Sequence, residues 1–254
     1  MLGRRLASAP LIASFVLASC GFAAAGEVRG FLELFTSQGC SSCPAADKLL
    51  GELARDPSLV VISVPIDYWD YLGWKDTLAS PAHSARQRAY AHVRGDREVY
   101  TPQIVVNGSM HVLGSDRVAI ERMITQTDRN AAVMSQPVSL SMSDDKLTVK
   151  IGQAAKEPVS AEVWLCPVER TVQVAIGRGE NSGHTVTYHN VVRHWLKLGE
   201  WTGAAASWSV STKEVFDQGA DAAAVTLQEG TPEKPGIVLG AALIPIGHLT
   251  TDVR

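Results

Sequence analysis

The chain has 254 residues, with 23 Lys and Arg against 26 Asp and Glu, which gives a formal net charge of −3. Because the sequence shows no clustered basic face, nucleic-acid binding is disfavoured on electrostatic grounds. No segment approaches the run of about 20 apolar residues that a transmembrane helix needs. The length fits two modest domains better than one large one.

The N-terminus has the pattern of a secretory signal peptide. Arg4 and Arg5 precede an apolar run at residues 11–18, and Ala23-Ala24-Ala25 supplies the small residues of a cleavage site. We therefore expect residues 1–25 to be removed and the protein to be exported, either to the periplasm or out of the cell.

A lipid anchor is the alternative at this end of the chain. The string Leu17-Ala18-Ser19-Cys20 resembles a bacterial lipobox, in which the cysteine becomes the lipidated first residue. Cleavage at Cys20 would leave only a short tether before the first predicted strand, so ordinary cleavage before Gly26 is preferred. On either route the protein meets an oxidising compartment, where neighbouring cysteines rest as disulfides unless they are reduced.

The first half of the mature chain alternates between strand and helix patterns. A parallel β-α-β unit is followed by a helix, an antiparallel pair of strands that turns at Asn107-Gly108, and a last amphipathic helix. The predicted elements are strand 28–35, helix 45–54, strand 59–66, helix 81–93, strands 103–106 and 110–113, and helix 118–127.

Cys40 and Cys43 lie at the turn between the first predicted strand and the first predicted helix. The unpaired N–H groups and the dipole at a helix N-terminus favour thiolate over thiol. The three-residue offset also allows a small-loop disulfide. This pattern predicts thiol-disulfide exchange with a thiol- or disulfide-containing protein or small molecule, and it calls for no cofactor.

The same cysteines have three alternative uses, of which a zinc site is disfavoured. A four-thiolate zinc site needs a second pair, but the other cysteines, Cys20 and Cys166, are isolated. The two thiolates could instead hold a soft metal such as Cu(I), which would make the protein a binding module. A structural disulfide that only staples the turn is the third alternative.

The order of elements in the first half resembles the thioredoxin fold. In that family a cis-proline precedes the third strand and faces the redox cysteines. Here Thr101-Pro102 immediately precedes residues 103–106, so we expect a cis bond that turns the Thr101 backbone towards an incoming chain. The resemblance implies a thioredoxin-like domain at residues 26–131 in which Pro102 belongs to the active site.

Longer strings are similar to the secreted family catalogued as domain of unknown function 1223. The similarity covers nearly the whole mature chain and is most specific at residues 35–44, 67–76, 100–103 and 178–181. It implies a fold rather than a reaction.

The exchange hypothesis gives each residue of the site a role. Cys40 should be the more exposed thiol and attack, and Cys43 should resolve the mixed disulfide. Thioredoxins carry a buried acid beneath the resolving cysteine, and Glu33 matches it. Strand alternation puts Glu33 on the face of Phe31 and Phe35, so we expect a buried carboxyl with a raised pKa that accepts the proton of Cys43. The alternative is a glutamate that reaches solvent.

Two further segments are candidates for binding. Tyr68 and Trp69 begin an aromatic run that could recognise substrates beside the disulfide, although such runs more often cap a core or a domain junction. Residues 178–184 form a polar, glycine-broken loop that could bind a ligand, with a long hairpin turn as the preferred interpretation.

After residue 130 the pattern changes to short alternating segments broken by Gly, Pro and Asn. This pattern predicts a β-sandwich at residues 132–254. We expect Cys166, within one of its strands, to be a small buried hydrophobic residue. The predicted strands are 136–140, 147–152, 159–165, 171–176, 186–192, 204–210, 222–227 and 237–245.

Overall fold

The computed structural model describes residues 28–143, 145–155, 160–216 and 219–246. The predicted signal peptide and Cys20 lie outside the described residues. Within these ranges no helix is long and apolar enough to cross a membrane.

The chain forms a mixed α/β structure, as the sequence predicts. The first half contains β1 (Gly30–Thr36), α1 (Cys43–Leu53), β2 (Leu59–Pro65), the 3-10 helix Asp70–Leu72, α2 (Pro81–Arg94), β3 (Gln103–Val106), β4 (Met110–Leu113) and α3 (Arg117–Thr127). The second half contains β5 (Val138–Ser143), β6 (Lys146–Ile151), β7 (Ala161–Ala175), β8 (Thr185–Val192), β9 (Leu196–Trp201), β10 (Ala206–Ser211), α4 (Thr212–Val215), β11 (Ala222–Thr231) and β12 (Lys234–Pro245).

Most strands belong to one large sheet with the order β12-β11-β7-β8-β2-β1-β3-β4, and β9 also pairs with β7. β1 and β2 are parallel, whereas β3 is antiparallel to both β1 and β4. β8 joins the two halves of the chain, because Val191 pairs in parallel with Ser63 of β2. Hydrogen bonding in this sheet therefore continues across residue 131, where the sequence predicts a domain boundary.

The second half also forms a small sheet, with the order β10-β6-β5. Leu147 and Val149 of β6 pack in one apolar cluster with Leu165 of β7 and Val225 of β11. The two sheets thus bury a shared core in this half, as in a sandwich. β7 replaces two predicted strands with one, and β9 was not predicted.

The two faces of β1 are covered by different helices. Leu32 and Leu34 pack with Leu50 of α1, whereas Phe31 packs in the cluster that contains Tyr90 of α2. Every residue of β1 is buried. Because a strand covered on both sides has no access to water, each of its polar side chains needs a hydrogen-bond partner from the helix that covers it.

Candidate functional site

Cys40 and Cys43 form a disulfide across the turn that connects β1 to α1. Their Cα atoms are 5.4 Å apart, and Cys43 is the first residue of α1. The turn is held by two backbone bonds, from Cys40 N to Ser37 O (3.2 Å) and from Cys43 N to Cys40 O (3.2 Å). The predicted placement of the pair at a strand-to-helix turn is confirmed.

Both cysteines are buried. Cys40 is 2 % exposed and Cys43 is 0 % exposed, so the expected difference in exposure between them is small. The intervening Ser41 and Ser42 are the exposed part of the turn, and Cys40 Sγ lies 3.4 Å from Ser42 Oγ. Because so little of either cysteine is exposed, the access of a substrate to the sulfur atoms is restricted.

One covering group comes from residues 177–184, between β7 and β8, which we call the capping loop. The Asn181 amide, itself buried, donates to the backbone oxygens of Gln38 (2.9 Å) and Cys40 (2.8 Å). One side chain from the second half of the chain therefore satisfies two carbonyls of the cysteine turn.

The capping loop makes a second contact with the turn. Ser41 N donates to Glu180 Oε2 at 3.2 Å. Gly179 and Gly183, with φ of 80° and 81°, occupy left-handed positions on either side of these residues. The sequence favoured a simple hairpin turn here, and contact with the cysteine turn was not predicted because it joins residues far apart in the chain.

A second covering segment follows β2. Asp76 Oδ2 accepts from Gln38 N (2.7 Å), and its other oxygen accepts from Leu78 N (2.8 Å). The Gln38 side chain accepts from Trp74 Nε1 (2.8 Å). Burial raises the pKa of Asp76, while these N–H donors oppose that shift. Gln38 and Asp76 therefore fix the turn, and neither was among the predicted site residues.

The aromatic residues Tyr68 and Trp69 pack against the core. Tyr68 donates to Gln87 Oε1 (3.1 Å), and burial raises its pKa to about 12. Trp69 Nε1 donates to Thr101 Oγ1 (2.8 Å). Trp69 also packs closely on Gly39, since a Cβ added to Gly39 would lie 3.0 Å from the Trp69 Cβ. Trp69 thus links Thr101 to the residue before Cys40.

The Thr101–Pro102 bond is cis, as predicted. Pro102 O accepts from Gly114 N (2.9 Å). A Cβ added to Gly114 would meet Pro102 Cβ at 3.1 Å and Ala46 Cβ of α1 at 3.2 Å, so the proline lies close to the cysteine-bearing helix.

Glu33 is buried as expected, but it does not lie beneath Cys43. Its carboxylate pairs with Arg86 Nε (2.6 Å) and accepts from Tyr90 OH (2.5 Å), both on α2. Burial disfavours the charged guanidinium of Arg86, but its favourable interactions, chiefly with the Glu33 carboxylate, are together larger than this cost, so the pKa of Arg86 is raised. The side chain faces the α2 side of the sheet, whereas the cysteine helix covers the other side, so the proton-acceptor role assigned to Glu33 lacks its geometry.

Asp47 is the acid on the cysteine side of the sheet. It lies four residues after Cys43 on α1, hence on the same face and roughly 6 Å along the helix axis. Asp47 is 1 % exposed, and neither carboxyl oxygen has a hydrogen-bond partner among the described residues. Burial raises its pKa well above the ordinary value, the nearby Thr36 hydroxyl lowers it, and the charge of Asp76 raises it further. Helical spacing from Cys43 was the sequence signal for Asp47.

The remaining cysteine, Cys166, is fully buried in β7. Burial raises the pKa of its thiol, which keeps it protonated. Among the described residues no three His, Cys, Asp or Glu side chains are grouped as metal ligands.

A family model for proteins of unknown function, DUF1223, matches residues 31–228. The chain belongs to the DUF1223 family. A crystal structure of an Agrobacterium tumefaciens protein is similar to it, with 30% sequence identity and a TM-score of 0.78 over 89% of this chain and 98% of that chain. No curated protein sequence matches.

Proposed function

We propose that this DUF1223 protein exchanges thiols and disulfides through Cys40 and Cys43, on a thioredoxin-like N-terminal domain. The observation that carries the proposal is a disulfide spanning the β1–α1 turn, with Cys43 opening the helix. The order of elements from β1 to α3 and the cis bond before β3 support it, because the resemblance to thioredoxins implies both of them.

The reaction proceeds in two balanced steps. The Cys40 thiolate attacks one sulfur of a substrate disulfide, and the other half leaves as a thiolate that takes a proton from water. Cys43 then gives up its proton and attacks Cys40 Sγ, which releases the second half as a thiol and forms the Cys40–Cys43 disulfide. Two electrons pass from the protein to the substrate, and the reverse sequence oxidises a substrate dithiol.

Asp47 replaces Glu33 as the proposed acceptor of the Cys43 proton. A carboxylate on the same helix face and one turn away is a suitable acceptor for the proton of the Cys43 thiol, either directly or through one water molecule, once the disulfide is reduced. Its burial and lack of partners make it a strong base once it ionises. Resolution by Cys43 then depends on this acid more than the initial attack by Cys40 does.

Burial of the pair favours a second candidate, a structural disulfide that staples the turn. Cys43 is fully buried, Cys40 is nearly so, and the capping loop is hydrogen-bonded to the Cys40 carbonyl, and such burial protects an inert disulfide. The copper-binding alternative rests on the two thiolates alone. If the disulfide exchanges, loosening the contacts of Asn181 and Glu180 with the turn should make it react faster, whereas a staple does not need these contacts to open.

A trapping experiment tests the proposal. With a neutral disulfide such as 2-hydroxyethyl disulfide, reduced Cys43→Ser should accumulate a mixed disulfide at Cys40 that mass spectrometry detects. Cys40→Ser should form none, and Cys166→Ala, a buried cysteine outside the site, should exchange like the parent. Equal behaviour of the two site variants would refute the assigned roles.

We also propose that the protein is exported to the periplasm or secreted, on the signal-peptide pattern of residues 1–25. Fractionation of cells, with mass measurement of the mature N-terminus, tests this and separates ordinary cleavage before Gly26 from lipidation at Cys20.

A further inference from the structure

A groove of about 690 Å³ lies between α1 and β8. Pro44, which follows Cys43, lines one end of it. Lys48 and Arg55 line it from α1, and Arg170 and His189 line it from the sheet. The groove therefore runs along the helix that carries the resolving cysteine.

The charges in this groove are mostly positive. In the described part of the chain Lys48 and Arg55 have no carboxylate within 4 Å, while Arg170 is paired with Asp221 at 3.1 Å. The one acidic residue of the lining, Glu52, is bound to Arg117 at 2.6 Å. Two positive side chains thus line the groove with no carboxylate paired to them in the described residues, on a chain whose net charge is −3.

Arg55 lies close enough to His189 to influence its ionisation. Burial and the charge of Arg55 lower the pKa of His189, which leaves its ring neutral at pH 7. His189 therefore adds a polar ring rather than a further charge, and Lys48 and Arg55 set the potential that a ligand meets.

The start of β8 connects the lining of the groove to the loop that contacts the cysteine turn. β8 starts at Thr185, immediately after the capping loop whose Asn181 binds the Cys40 carbonyl. A chain seated between α1 and β8 would run from Arg55 past Lys48 to Pro44, and it would meet the capping loop there.

We propose that this groove binds the carboxylate-bearing flank of the substrate, so that the preferred substrate is an acidic disulfide. The inference rests on the proposed exchange at Cys40 and Cys43, and it adds the chemical class of the substrate. Lys48 and Arg55 attract the carboxylates, and the polar side chains of β8 supply hydrogen bonds. In water an ion pair at about 4 Å is expected to change a rate or an affinity roughly five-fold.

The test compares disulfides of different charge at low ionic strength. Reduced protein is mixed with glutathione disulfide, which is anionic, with 2-hydroxyethyl disulfide, which is neutral, and with cystamine, which is cationic, and the loss of protein thiols is followed with time. The readout is the ratio of each charged rate to the neutral rate. The variant Lys48→Glu/Arg55→Glu should lower the anionic ratio at least ten-fold and raise the cationic ratio, whereas the exposed control Lys150→Glu should keep the parental ratios.

A binding measurement separates the groove from the reaction. In isothermal titration calorimetry, oxidised protein is titrated with S-methylglutathione, which carries the same carboxylates as glutathione but cannot exchange. A Glu-rich peptide is titrated in parallel to test whether the groove binds an acidic polypeptide. If the neutral disulfide never reacts but the double variant loses S-methylglutathione binding, the exchange proposal fails and the groove stands. If exchange occurs but the charge ratios and the binding are unchanged in the double variant, the groove proposal is wrong.

Discussion

Replacing Asp47 by asparagine should change how the stability of the protein depends on pH. The carboxyl is 1 % exposed and unpartnered in the described structure, so its ionisation in the folded state is strongly disfavoured. In the unfolded chain the same group is solvated and titrates near pH 4. Asparagine keeps the shape of the side chain but does not titrate.

The direction in which stability changes with pH follows from the raised pKa of Asp47. The stabilising contribution of the protonated carboxyl is fully present below about pH 4 and is lost as the pH rises towards the folded-state pKa. Within that window the free energy of unfolding falls by about 1.4 kcal/mol per pH unit because of this one group. The free energy of unfolding of Asp47→Asn minus that of the parent should therefore increase by about that amount for each pH unit. Any constant penalty from the buried amide leaves this slope unchanged.

Urea unfolding of the oxidised protein at about pH 4.5, 5.5 and 6.5 measures the slope. Asp128→Asn is the matched control, because that aspartate is exposed and its carboxylate is solvated in both states. If the difference in the free energy of unfolding between Asp47→Asn and the parent shows no increase with pH beyond that of the control, the carboxyl is not held protonated and the proposed base is wrong.

The reduced Asp47→Asn variant should resolve mixed disulfides about 10²-fold more slowly than the parent, while its Cys40 attacks substrate disulfides at the parental rate.

Three further outcomes are expected. Asn181→Ala removes two hydrogen bonds to the cysteine turn and should make the disulfide several-fold easier to reduce with a small phosphine; an unchanged rate would mean that the capping loop does not limit access. Glu33→Gln leaves Arg86 unpaired and should destabilise the fold by about 3–5 kcal/mol in urea unfolding, and restoration by Arg86→Met in the double variant would identify the buried charge as the cause. The same Glu33→Gln variant should exchange disulfides at the parental rate if folded, and a selective loss of resolution would return the proton-acceptor role to Glu33.

Local patterns were sufficient for much of the first half of the fold. Strand and helix periodicity located β1 and α1, and Thr101-Pro102 was correctly predicted to be cis. Alternation also placed Glu33 correctly on the face of Phe31 and Phe35. It could not tell which helix covers that face, because both faces of β1 are apolar and only tertiary packing assigns α2 to one and α1 to the other.

The parts of the site that were missed depend on contacts between distant residues. Asn181 reaches Cys40 from 141 positions away, and nothing local to residues 178–184 indicates that contact. β8 joins the sheet beside β2, which no pattern within residues 26–131 reveals. Asp47 was accessible from sequence, since Cys43, Asp47 and Leu50 share the buried stripe of α1, although an acid within such a stripe is normally taken as solvent-facing.

The reduction potential of the Cys40–Cys43 pair tests the central claim most directly. Equilibration of the protein with glutathione or dithiothreitol buffers, followed by alkylation and mass measurement, gives its value. An exchange protein should have a potential between about −270 and −120 mV, within reach of cellular partners, and Asn181→Ala should raise the rate of equilibration. A potential well below about −300 mV would contradict exchange and identify the disulfide as a structural staple.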